Sequence, residues 1–141
     1  MAVHGGLLRT STPGDGAIVD LTEGVRSIVR RSEVESGVAV VFAIGATVGV
    51  TTMEYEPGGV EDLQALLGRL IPADAPGGAY EHNVRNHDTN AHAHLRAAVI
   101  GPSESIPVVG GELGLGTWQQ VVLLDFDDRP RERVVSVQVL S

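Results

Sequence analysis

His82, His87, His92 and His94 fall within thirteen consecutive positions, with Glu81, Asp88, Asn83, Asn86 and Asn90 among them. Imidazole nitrogen together with carboxylate oxygen suits zinc or another borderline divalent ion. The same groups suit general acid–base work near neutral pH, where only histidine titrates without perturbation. Geometry limits which of them act together. If Asn90 caps a helix, His94 shares its face while His92 points about 200° around the axis from His94. On an extended segment His92 and His94 would share a side. Three readings stay open on the residues alone: a polar surface loop with a capped helix, a pocket for an anion or substrate, and a metal site.

Other residues with chemical potential lie outside this stretch. Glu54 and Glu56 flank Tyr55 at a strand end, where alternation turns both carboxylates the same way, toward a metal, an acid–base role or solvent. Gly45, Thr47 and Gly49 interrupt apolar strands and mark a close approach to a ligand, a bulge or a tight turn. The glycine-rich run from Gly110 to Gly116 lies between strand signals, has no following helix and offers no lysine, so it is not a nucleotide loop. No serine sits in a GxSxG elbow, which disfavours a standard serine hydrolase. Trp118, the only tryptophan, reads as a core or interface residue. Arg129, Arg131 and Arg133 lie on one side of a final strand, the pattern of solvent or subunit-interface charge, or of a phosphate contact.

Composition narrows the chemistry further. The 141 residues contain no cysteine, and all ten basic residues are arginine. Thiolate nucleophiles, disulfides and thiolate metal sites are therefore excluded, as are Schiff-base and P-loop lysines. A net charge of −8 opposes sequence-independent binding to nucleic acid or an anionic membrane. No apolar run reaches the roughly 18 residues of a membrane span, and Met1 to Thr10 shows no signal-peptide pattern, so a soluble, cytoplasmic protein is expected.

The elements that must position these residues follow from periodicity and turn signals. Val3 to Thr10 and Ala17 to Leu21 read as strands around Pro13-Gly14-Asp15-Gly16. Thr22 caps a helix through about Val34, stopped by Ser36-Gly37. Val38 to Ile44 reads as a buried central strand and Thr47 to Glu54 as its partner. Val60, Leu63, Leu66, Leu67 and Leu70 predict a second amphipathic helix that packs Leu63, Leu66 and Leu67 inward. Ala73 to Thr89 reads as a long loop, and Asn90 caps a short third helix through Ile100. Glu104 to Val109, Glu112 to Leu115, Thr117 to Phe126 and Arg131 to Leu140 predict a terminal β-meander, with Gly110-Gly111 as a hairpin turn. The expected fold is a single α+β domain over residues 1–141.

The run Tyr80-Glu-His-Asn, the run Asp88-Thr-Asn-Ala-His-Ala-His-Leu-Arg-Ala97, Gly101-Pro-Ser, Pro107-Val and Leu115-Gly-Thr-Trp-Gln-Gln120 together resemble the YjbQ-like family, whose members are often labelled secondary thiamine-phosphate synthases. Asp125-Phe-Asp127, Arg129-Pro-Arg131 and the Val-rich last strand extend the match over nearly the whole chain. In one place the chain departs: many relatives carry His-Thr-Thr or His-Thr-Ser where Gly45-Ala46-Thr47 stands here.

The resemblance implies an α+β domain centred on a β-sandwich, subunits packed as a homotrimer, and a polar pocket using His94 near Asp88 to Asn90. It implies a small-molecule enzyme with weak thiamine-phosphate synthase activity, in which a thiazole phosphate displaces pyrophosphate from an aminomethylpyrimidine. In that reading His94, His82 and Asp88 are catalytic, and Asn90, Arg96, Thr47 and Glu54 bind the substrate, Thr47 or Glu54 arriving from the sheet or a neighbouring subunit. Amides at the start of the third helix would favour an anion, with His94 and Arg96 adding donors. A divalent metal, zinc or magnesium, would be held by His82, His92 and His94. The partner is then a small anionic or phosphorylated molecule, with no nucleic acid and no membrane. The alternative is a non-catalytic trimeric protein that binds a small anion or a metal.

Overall fold

The computed structural model describes residues 1–141. In chain order the elements are β1 (Val3–Thr12), β2 (Ala17–Asp20), α1 (Thr22–Ser32), β3 (Ser36–Ile44), β4 (Val48–Met53), α2 (Pro57–Leu70), α3 (Glu81–Asn86), α4 (Ala91–Ile100), β5 (Ser103–Val109), β6 (Glu112–Leu113), β7 (Gln120–Asp125) and β8 (Arg131–Leu140). They build a mixed α+β fold from two antiparallel sheets, ordered β1-β8-β3-β5-β6 and β2-β7-β4. No helix is long and apolar enough to cross a membrane.

The main core lies between the sheets and is closed by α1. From the larger sheet Ala39, Val41, Ala43, Val135, Val137 and Val139 point inward, each within 1% of full burial. They meet Val48, Val50, Val121 and Leu123 of the smaller sheet and Val25, Ile28 and Val29 of α1. Strict alternation on β8 produces this, since Ser136 and Gln138 turn to the other face. A second core covers the far side of the smaller sheet, where Val122, Leu124, Phe126 and Ile18 pack against Ala93 and Ala97 of α4 and Leu67 of α2. β7 is thus the strand buried on both faces, which explains its unbroken Val-Val-Leu-Leu run.

Several expectations are corrected. Val38 to Ile44 is central in its sheet but covered on one face only: Phe42 is 43% and Ile44 52% exposed. The terminal strands do not form a meander. β5 and β6 make the hairpin, β7 crosses to the smaller sheet, and β8 returns between β1 and β3. α1 is started by the Asp20 carboxylate, which accepts from the Thr22 N–H at 2.9 Å, while the Thr22 hydroxyl accepts from Val121 N–H. It stops earlier than expected, at Glu33, which adopts a left-handed conformation (φ 57°). In α2 only Leu67 is fully buried; Leu63 is half-buried and Leu66 is exposed. The long loop contains a helix, α3, so the chain has four helices where three were expected.

Small residues set the position of α4, the helix that carries the histidines. Ala93 and Ala97 let its axis lie close to β4 and β7. Gly49 of β4 completes the fit, because a Cβ there would lie 3.0 Å from Gly101 O and 2.8 Å from Ile100 Cγ2. The close approach allows Val50 N–H to donate to Gly101 O at 3.0 Å, tying the C-terminal end of α4 to the sheet.

Candidate functional site

With Ala93 and Ala97 facing the sheet, helical spacing sends His94 to one flank of α4 and His92 with Arg96 to the other. The HxH pair is therefore split. The partner of His94 is His82 of α3, their ring centroids 4.6 Å apart and their planes inclined at 54°.

α3 is seated on the start of α4 by Asn83. Asn83 Oδ1 accepts from Ala91 N–H at 3.0 Å and so supplies the side-chain cap expected of Asn90. Asn86 Nδ2 donates to His82 O at 2.9 Å. His87, left-handed at φ 51°, ends α3 and turns the chain into α4. Asn90 holds the N-cap position, and its carbonyl accepts from Ala93 and His94 N–H at 3.0 and 3.2 Å. Its side chain turns instead to His82. Oriented to satisfy all its neighbours, the amide donates to His82 Nε2 at 3.1 Å and to both Asp88 oxygens at 3.3 Å. His82 Nε2 is then the acceptor of the Asn90 bond. The Asp88 carboxylate lies 3.8 Å from His82 Nε2.

The two rings open on a cavity of about 380 Å³ lined by Tyr80, Glu81, His82, Ala91, His94 and Leu95. The Tyr80 hydroxyl donates to Pro72 O at 2.7 Å, so this ring is a fixed wall. His94 is half-buried, and no hydrogen bond within the chain involves its ring. His82 is thus held from behind by Asn90 and Asp88, and His94 is the imidazole left for a ligand.

Of the residues expected at one pocket, His82, Asp88, Asn90 and His94 come together. Arg96 does not join them: its Nε donates to Ile71 O at 2.9 Å on the other flank of α4. His92 is buried there too, its Nδ1 without a partner, and burial followed by the charge of Arg96 lowers its pKa. The expected metal set of His82, His92 and His94 is accordingly not assembled, and within one chain no three His, Asp or Glu side chains are grouped to hold a metal. Glu54 is exposed at the end of β4, and Glu56 caps α2 by accepting from Gly58 N–H at 2.9 Å and from Gly59 N–H. The helix-start amides expected to receive an anion are largely taken, by Asn83 and by the Asn90 carbonyl. Tyr80 and Leu95 line the cavity and Asn83 caps α4, roles that residue type and spacing do not announce; the signal for Asn83 is its position one residue after His82.

Thr47 belongs to a different cluster. Arg133 is paired with Asp125 (Nε–Oδ2 2.7 Å, Nη2–Oδ1 2.8 Å) and donates to the Thr47 hydroxyl at 2.8 Å. Arg131 donates to Asp127 at 2.6 Å, and Thr12 bonds to Asp125. Burial alone would raise the Asp127 pKa, but the Asp128 N–H, Arg131 and Thr47 outweigh it and hold the group at about 2. The hydrogen bond that Arg133 donates to Asp125 leads the causes that raise its pKa. Arg133 is thus an internal tie and not the solvent or interface charge its strand position suggested. Gly45, at φ +154°, lies beside it, and a Cβ there would stand 3.2 Å from Arg133 Nη1. Trp118 is 73% exposed in the single chain and takes no part in the core.

Comparison with known proteins agrees with this architecture. A family model described as UPF0047 protein YjbQ-like matches residues 7–141. A UPF0047 protein of Methanothermobacter thermautotrophicus is 34% identical over 94% of this chain and 87% of its own length. One from Mycobacterium tuberculosis H37Rv is 41% identical over 83% of this chain and 84% of its own. The crystal structure of a YbjQ-like protein of unknown function from Sulfolobus solfataricus P2 superimposes with a TM-score of 0.91 at 31% identity, covering 99% of this chain and 98% of that one. A hypothetical protein from Aeropyrum pernix K1 gives a TM-score of 0.88 at 34% identity over 97% and 98% of the two chains. By sequence over nearly its full length, and by fold, the chain belongs to the UPF0047 YjbQ-like family.

Proposed function

We propose that this protein is a small-molecule enzyme in which the His82–His94 pair transfers protons to or from a ligand in the adjoining cavity. The observation that carries this reading is the asymmetry of the pair. His82 has its Nε2 engaged by Asn90, with Asp88 behind, whereas His94 meets the cavity with both ring nitrogens unpaired in the chain. A fixed imidazole beside a free one suits a general acid–base group that must change protonation near neutral pH. In the narrower form drawn from the family, the substrate is phosphorylated and the activity is weak thiamine-phosphate synthesis. His94 then protonates or deprotonates the reacting groups and His82 with Asp88 sets its surroundings.

A zinc ion would take His94 as a nitrogen ligand, and His82 as a second only by displacing its hydrogen bond from Asn90. One chain falls short of the three protein ligands usual for catalytic zinc, so a further donor has to come from a neighbouring subunit. The homotrimer belongs to the same reading. It is supported by the uncovered apolar face of the larger sheet, with Leu7, Phe42 and Ile44 exposed, and by Leu95 and Val99 on the outer side of α4.

Purified protein supplied with the thiazole phosphate and the aminomethylpyrimidine pyrophosphate should form thiamine phosphate slowly, with and without added zinc. His94→Ala should lower turnover by roughly 10²-fold or more, the usual weight of general acid–base catalysis. The non-catalytic reading has one observation in its favour: no arginine lines the cavity, and Glu81 does, leaving little to neutralise a departing pyrophosphate. Binding lost in His94→Ala, with no turnover in the unaltered protein, would decide for it.

A further inference from the structure

Arg96 is a partly buried cation without an ion-pair partner. Its Nε is committed to Ile71 O. None of the seven ion pairs in the chain involves it. The side chain is half-buried, so the charge has lost water without gaining an ion-pair partner. The side chain borders a second cavity, of about 30 Å³, on the flank of α4 away from His94, where Gln64 and Asp15 form the polar rim and Leu67, Leu124 and Phe126 the apolar floor. Gln64 Nε2 donates to Gly16 O at 2.9 Å, which leaves its Oε1 free to accept. One turn earlier on the same flank, His92 is 7% exposed with Nδ1 unpartnered, so this side of α4 carries two under-satisfied polar groups.

We propose that Arg96 and Gln64 form a binding site for the carboxylate or phosphate end of a small metabolite, separate from the His82–His94 cavity. The planar guanidinium presents paired donors that match an oxyanion of either kind. Size restricts the rest: about 30 Å³ is of the order of one or two water molecules, so only the head group enters and the body of the ligand stays outside. Asp15 and Gln64 Oε1 at the rim accept hydrogen bonds. They select an oxyanion that carries a donor, such as a hydroxyl, next to its charge, and they disfavour a bare dianion.

The test uses the full-length protein, labelled with nitrogen-15, and follows the side-chain N–H signals of Arg96 Nε and Gln64 Nε2 during titration with glycolate and, separately, with inorganic phosphate. Saturable shifts with either probe and none with chloride at equal ionic strength are expected; the tighter probe identifies the head group. Gln64→Glu, an exposed position, should weaken binding roughly tenfold or more by setting a second carboxylate at the rim. Arg96→Gln should abolish it, and His94→Ala should leave it unchanged. Absence of saturation with both probes overturns the site, as does an equal response to chloride. Loss of the shifts in His94→Ala would also overturn it, by merging the two cavities into one site. If Arg96→Gln does not fold, the contrast between Gln64→Glu and His94→Ala decides by itself.

Discussion

Asp127 shows how far the fold controls a single charge. It is almost fully buried and carries a pKa of about 2 against an ordinary value of 3.8, because Arg131, Thr47 and the Asp128 N–H all favour its ionised form. Since the folded value lies below the unfolded one, its stabilisation is complete above pH 3.8 and is lost as pH falls from there toward 2. The shift corresponds to about 2 kcal/mol. Urea unfolding followed from pH 6 to pH 2 should show this acid step, and Asp127→Asn should lack it while being about 3 kcal/mol less stable at pH 6, since Arg131 is left without its partner. At the same scale Asn83→Ala should cost about 1 kcal/mol, the usual value of an N-terminal cap, with faster amide exchange at Ala91. Wild-type exchange there would mean that water replaces the Asn83 oxygen at no cost. The cap that Asn83 supplies is not legible in the sequence, because the polar stretch 73–89 hides a six-residue helix too short for periodicity to reveal.

Among the elements, α4 and α2 are opposites. α4 is pinned along its length, by Asn83 at the start, Ala93 and Ala97 in the middle and the Val50–Gly101 hydrogen bond at the end. Gly49→Ala should therefore be felt at the histidines. The added methyl meets the Gly101 carbonyl and Ile100, and a loss of about 2 kcal/mol is expected, together with altered chemical shifts at His94. Unchanged stability would show that α4 slides freely over β4. α2 has one fully buried anchor, so Leu67→Ala should cost about 3 kcal/mol, whereas Leu66→Ala should cost about 0.5 kcal/mol or less. Chemical denaturation of the two variants separates them. A large cost at Leu66 would place that residue in a contact between subunits.

For the whole molecule, the unanswered apolar surface is the outer face of the larger sheet. Row by row across β1, β8 and β3, Leu7 aligns with Ser136 and Phe42, and Val134 aligns with Ile44. Exposed branched and aromatic side chains in neighbouring rows form an uncovered patch suited to a partner. Light scattering of the unaltered protein should return three times the 14.8-kDa chain mass, and Phe42→Glu should shift it toward the monomer. A trimer unaffected by Phe42→Glu would assign the interface elsewhere, for example to the exposed Trp118 or the Leu95–Val99 stripe.

The amino-acid sequence by itself determined the family, the α+β class, nearly all of the strands and the neighbourhood of the histidines, because alternation, helical spacing and glycine turns act over a few residues and are written locally. It placed His92 and His94 apart if Asn90 starts a helix, while leaving open an extended segment on which they share a side. Only the tertiary structure decided that His94 meets His82, that Arg96 and Thr47 serve other clusters, and that β7 is the strand buried on both faces. Those outcomes depend on which strands pair and how closely α4 approaches the sheet, and such distances arise from contacts between segments dozens of residues apart. β3 shows the limit in one element: its unbroken apolar run announces two faces that avoid water, but covers for both cannot come from a chain that has only α1 and the smaller sheet to pack against one of them.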